Sequence, residues 1–110
     1  MTTVSVMQGD RLREAMSEAQ LIDDAARAHG IYLNLECQLL RNIAHLVAMA
    51  DGGTINLHPD FGGDFFWTLE RDGREVMHGG LNYHGPKTRE QWLAAFEKKE
   101  LPYYGWSINT

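Results

Sequence analysis

Cysteine is almost absent from this chain. The one thiol, Cys37, has no partner in the sequence, which excludes an internal disulfide and fits a reducing compartment. Long apolar runs are missing too: no stretch approaches the roughly 20 residues needed to span a bilayer. The segment Met1–Met7 has no basic stretch leading into an apolar one, so we expect no secretory signal, no membrane partner and a cytoplasmic protein. Basic charge is in short supply. Four basic residues face seven acidic ones over residues 1–53, and six face eight over 54–110, for a net charge of -5. Direct nucleic-acid binding needs clustered Lys and Arg for the phosphates, so that class is set aside. DNA mimicry would need denser acidic spacing than Asp23-Asp24 offers. Catalytic signatures are also lacking: there is no G-x-S-x-G, P-loop, G-x-G-x-x-G, HExxH or CxxC.

What is present is a globular composition, 44% hydrophobic and 23% charged over 110 residues, which bounds the chain to one domain with a core of its own. The composition changes at Asp51-Gly52-Gly53. Before it lie two glycines and no proline; after it lie all three prolines and most of the aromatics. Helices therefore belong to the first half and strands to the second.

Asp10 is a candidate N-cap. After it Leu12, Ala15, Met16, Ala19, Ile22 and Ala26 recur at helical spacing up to Gly30, as one helix or as two with a restart near Ser17. Leu35, Leu39, Ile43, Leu46, Val47 and Ala50 predict a second helix over 35–50, and the short link between them predicts an antiparallel hairpin. The period then changes. Residues 54–58 alternate and end at Pro59. Residues 64–71 form a stronger strand with Phe65, Trp67 and Leu69 on one face. Asp72-Gly73 is a two-residue hairpin signal, and residues 74–78 return antiparallel. Thr88-Arg89-Glu90-Gln91 is a capping box for a third helix reaching about Lys99, and residues 104–108 alternate as a last strand. The expected fold is α+β, a helical hairpin on a small, mainly antiparallel sheet in the order α-α-β-β-β-α-β.

His78-Gly79-Gly80-Leu81-Asn82-Tyr83-His84-Gly85 is the densest local signal, readable as a turn, a bulge or a binding loop. Folded tightly, it would bring His78 and His84 together, with His58 and Asp60 nearby, as the fallback candidates for a metal site. Cys37 and His45 lie about 12 Å apart along the second helix, too far for a nucleophile–base pair. They read as an unactivated, solvated or inter-helix face with Arg41 between them. Glu70 and Glu75 with Arg71 and Arg74 read as a solvated hairpin tip. Phe61, Phe65, Phe66, Trp67, Tyr83, Tyr103, Tyr104 and Trp106 crowd the second half. Packing a sheet on the helices uses Phe65, Trp67 and Trp106, and leaves Phe66, Tyr83, Tyr103 or Tyr104, with His84, as candidates for partner contact.

The Gly79–Gly85 segment and the run Gly105-Trp106-Ser107-Ile108-Asn109-Thr110 together resemble a group of small bacterial and mobile-element proteins of unknown function. Those carry a Gly-Gly-Leu-x-Tyr/Phe-His-Gly segment and a Gly-Trp-Ser-Ile-His-Thr-like end. The likeness covers the last 45 residues or so, and Asn109 stands where that pattern has a histidine. It implies an α+β fold and phage or plasmid cargo, where anti-CRISPR and other anti-defence inhibitors occur. The expected function is a non-enzymatic module, without cofactor, that binds and inhibits a bacterial protein complex. The alternatives are a small His-based or metal-dependent enzyme and a homodimeric ligand-binding domain.

Overall fold

The computed structural model describes residues 1–60 and 63–109. Phe61 and Thr110, named in the aromatic and terminal motifs above, lie outside the described residues, as does Gly62. The elements are β1 (Thr2–Val6), α1 (Gly9–Ala28), α2 (Leu35–Ala50), β2 (Gly53–Pro59), β3 (Phe65–Arg71), β4 (Arg74–His84), α3 (Arg89–Lys98) and β5 (Gly105–Asn109). They form an α+β fold with one five-stranded sheet in the order β1-β2-β3-β4-β5. The expected order holds apart from an additional first strand.

That strand corrects the reading of the N-terminal segment, which offered no α-helical period and was passed over. Four of the five residues Thr2-Thr3-Val4-Ser5-Val6 are β-branched, and the segment pairs parallel with β2, Thr2 opposite Gly53 and Val6 opposite Leu57. The α1–α2 hairpin is the crossover that a parallel pair requires. The remaining pairings are antiparallel.

α1 is one unbroken helix. Its start lies a little earlier than expected: Gln8 is the N-cap, without a side-chain bond, and Asp10 sits in the first turn paired with Arg13. α2 has a borrowed cap. Its own N-cap, Asn34, is left-handed at φ 57° and gives no side-chain bond. The Asp23 carboxylate of α1 instead accepts from Leu35 N at 2.8 Å and Glu36 N at 3.2 Å. That satisfies two orphan donors and places negative charge at the positive helix end. At α3 the expected box is complete, with Thr88 Oγ1 accepting from Gln91 N and Gln91 Oε1 accepting from Thr88 N. Asp72 and Gly73 both have positive φ, 53° and 75°, as a two-residue hairpin demands.

The largest departure is in β4. The glycine-rich segment is neither turn, bulge nor loop; it continues β4 as regular strand to His84, pairing Trp67 with Gly79 and Phe65 with Leu81. Leu81 and Tyr83 keep the inward parity and Asn82 and His84 the outward one. The glycines serve close packing. A Cβ at Gly79 would lie 2.0 Å from the Asn109 carbonyl oxygen and 2.7 Å from Trp67 Cζ2.

All the helices pack on one face. Leu46 and Ala50 of α2 meet Ile55, Leu57, Trp67 and Leu69. Leu39 meets Phe65 and Leu81. Beyond the sheet, Ala19, Ile22, Ala26, Leu33 and Leu35 close over Trp92 and Phe96 of α3. Each fully buried large side chain contributes about 1.5–3 kcal/mol. Phe65 and Trp67 are inward as expected, and Trp106 is inward and half-buried. Among the described residues no helix is long and apolar enough to cross a membrane.

Candidate functional site

The opposite sheet face carries no helix, and its composition is unusual for a solvated surface. Strand alternation places Thr3 and Ser5 of β1 on it, with Thr54, Asn56 and His58 of β2. β3 adds Phe66, Thr68 and Glu70; β4 adds His78, Gly80, Asn82 and His84, with Glu75 brought to the same face by the register shift between Leu69 and Glu70; β5 adds Ser107. Among the described residues no Lys or Arg stands there. The two carboxylates sit together at the hairpin end, Glu70 opposite Glu75. The neighbouring Arg71 and Arg74 fall on the helix side, where the Arg71 guanidinium donates to the Ala50 carbonyl at the end of α2.

Phe66 is the apolar centre of this face, 47% exposed. The imidazoles of His58 and His78 flank it at 5.7 and 6.1 Å between ring centroids. Beside it Thr68 is 9% exposed and accepts from Asn56 Nδ2 at 3.3 Å. Toward β5, His84 Nε2 lies 2.7 Å from Ser107 Oγ. Its ring rests 5.6 Å from Tyr103, which is itself 78% exposed.

The sheet thus divides the candidate residues. Phe66, His84 and Tyr103 form the open-face group. Tyr83 and Tyr104 are half-buried on the helix side and are not the free aromatics expected. The Tyr104 ring meets Trp92 edge-on at 5.8 Å. The Tyr83 hydroxyl donates to the Pro86 carbonyl at 2.8 Å and accepts from Trp92 Nε1 at 3.1 Å. Burial raises the Tyr83 phenol above the ordinary tyrosine value, offset in part by the indole N–H of Trp92. His78 and His84 do not converge, because six residues of extended strand separate them by about 20 Å. Among the described residues no three His, Cys, Asp or Glu side chains are grouped to hold a metal. Cys37, Arg41 and His45 are exposed on the outer side of α2.

A second feature lies on the helix side, where sequence reasoning saw nothing. A cleft of about 310 Å³ opens between α1, the residues Asp60 and Gly63, and the β4–α3 connection. α1 lines it with Arg11, Glu14, Ala15, Glu18, Ala19 and Ile22, one stripe of the helix at three- and four-residue spacing. Tyr83, Trp92 and Trp106 form the floor, with the Tyr83 and Trp106 rings 5.0 Å apart. Two bonds tie that floor to the residues leading into β3: Trp106 Nε1 donates to Gly63 O at 2.8 Å, and Asp64 Oδ1 accepts from Tyr83 N at 2.6 Å. Arg89 grips Glu18 through two guanidinium nitrogens, at 3.1 and 3.4 Å, and ties α3 to α1 beside it.

Comparison with family models, with curated proteins and with solved structures gives no match for this chain.

Proposed function

We propose that this protein is a non-enzymatic binding module that docks a partner protein on the open face of its sheet. The observation that carries this is the composition of that face. An exposed Phe with flanking imidazoles lies amid Thr, Ser and Asn. Among the described residues the face carries no Lys or Arg, and its two carboxylates are confined to one end. Depletion of charge around an aromatic centre distinguishes an interface core from ordinary surface, whereas a sheet face meant for water carries interspersed Lys and Glu. The partner that fits presents a basic rim to Glu70 and Glu75, and the net charge of -5 favours encounter with such a surface. With the resemblance of the glycine and terminal segments to mobile-element proteins, this supports an anti-CRISPR-like accessory in the bacterial cytoplasm. It would occupy a basic site on a defence complex.

The test is capture from bacterial lysate at low and high salt by the tagged protein and three variants. Phe66→Ala and Asn82→Arg alter the open face; Cys37→Ser alters the far side of α2. One salt-sensitive partner should be retained by the parent and by Cys37→Ser and lost by the two open-face variants, with all four melting alike. Retention by all four, or capture of nothing, overturns the reading. A second copy as the sole partner, read by light scattering, replaces it with a homodimer.

A further inference from the structure

We infer that the cleft beside α1 is a binding site for an organic cation, a guanidinium or ammonium group on a short aliphatic stem. Its volume, about 310 Å³, lies at the lower end for small-molecule sites, roughly 300–1,000 Å³. That is room for one flexible side chain or a molecule of that size. The floor is aromatic, and π faces attract cations.

The chain itself supplies the second observation. The Lys87 ammonium lies 5.0 Å from the Tyr83 ring centroid, a cation already resting on that floor. Lys87 is exposed and is anchored through its backbone, Lys87 N donating to Gln91 Oε1 at 2.7 Å, so its side chain is free to swing aside. With the ammonium displaced, the three carboxylates at the cleft, Glu14, Glu18 and Asp60, face two guanidinium groups. Arg11 lies 3.8 Å from Glu14 and Arg89 holds Glu18 from beside the cleft, so one net negative charge is left. The Tyr83 hydroxyl, committed to Pro86 and Trp92, stays a neutral part of the floor. An entering cation therefore replaces Lys87 over the ring and meets that net negative charge. An entering anion would meet the same net charge unfavourably.

The probes are agmatine, a free guanidinium compound, and the capped tripeptide acetyl-Gly-Arg-Gly-amide; N-acetylglutamate amide is the anionic control. The readout is the indole N–H resonances of Trp106 and Trp92 in the ¹⁵N-labelled full chain at low salt. Saturable shifts with the cations and none with the control are expected. Agmatine binding alone points to a free small molecule; tighter binding of the tripeptide points to an arginine on a polypeptide. Lys87→Ala removes the internal competitor and should tighten binding by about two- to five-fold, the equivalent of one exposed cation–π contact. Glu14→Gln should weaken it. The inference is overturned if neither cation gives a saturable shift, or if the anionic control matches them. It fails equally if Lys87→Ala leaves affinity unchanged or reduced. None of these outcomes bears on the open sheet face.

Discussion

Gly79 and Gly80 are adjacent in sequence, alike in chemistry and opposite in situation, so they make a sharp test of the packing argument. An alanine at Gly79 points its methyl into the helix-side core. There it meets the Asn109 carbonyl oxygen at 2.0 Å and Trp67 Cζ2 at 2.7 Å. Trp67 is 1% exposed and has no room to retreat, and the oxygen belongs to the backbone of β5. Overpacking of this kind costs about 1–3 kcal/mol. The upper half of that range applies, because relief requires β5 to move off β4. For a chain of 110 residues, 1 kcal/mol corresponds to about 4 °C in the thermal midpoint. Gly79→Ala should therefore melt roughly 8–12 °C lower. An alanine at Gly80 points onto the open face, where the nearest atom is Asn82 Oδ1 at 3.1 Å, the end of a side chain that can rotate. Removing a strand glycine regains about 0.5–1 kcal/mol of backbone entropy, so Gly80→Ala should melt within a few degrees of the parent. Circular dichroism melts of the three proteins decide it. Equal losses at the two positions, or a tolerated Gly79→Ala, would refute the parity assigned to β4 and with it the composition of the open face.

Two further predictions concern the helix side. Asp23→Ala removes the borrowed cap of α2 and should cost about 1–2 kcal/mol, read as a lower urea midpoint with an unchanged slope. Asp23→Asn should recover part of that loss. Tyr83→Phe leaves the buried Trp92 indole N–H without its acceptor, a loss of about 1–3 kcal/mol at neutral pH. The raised phenol also fixes a pH dependence. Its stabilisation is complete below about pH 10, where the unfolded tyrosine is still neutral. It is lost as pH climbs through the folded-state value. Urea midpoints at pH 8 and pH 11 should therefore fall less steeply in Tyr83→Phe than in the parent, and an equal fall counts against that ionisation.

The parts of the fold visible in the sequence are those that local chemistry dictates. The α2 stripe, the capping box at Thr88 and the Asp72-Gly73 hairpin each depend on residues within one turn or one strand, and each forms as expected. β1 was missed because five residues without a turn signal declare themselves only through a distant partner. The extension of β4 was missed because glycine reads as punctuation unless the surrounding alternation is followed. Leu81 and Tyr83 on one side, Asn82 and His84 on the other, carried that alternation through. The same omission hid the open face, since Phe66 and His84 belong together only once β4 is continuous. The cleft was invisible for another reason: Glu14, Lys87 and Trp106 meet only through tertiary packing. Tyr83 and Tyr104, sorted as surplus aromatics, are held on the helix side by Trp92, a residue the sequence reading assigned only to α3.

The parallel pairing of β1 also bears on how the molecule assembles. Residue 2 meets residue 53, whereas the β2–β3–β4 meander and the α1–α2 hairpin each close over short spans. Chain-entropy loss rises with the span closed, by about 0.6 kcal/mol for each doubling. Non-local pairings of this kind govern the rate at which a chain finds its native topology. The five residues of β1 recover that loss through one edge of β2, the Met7 N–Leu57 O bond and the contact of Thr2 Oγ1 with the Val47 carbonyl. Assembly is therefore expected to run outward from the meander, with β1 joining last, which pulse-labelled amide exchange would show as late protection of Val4 and Val6.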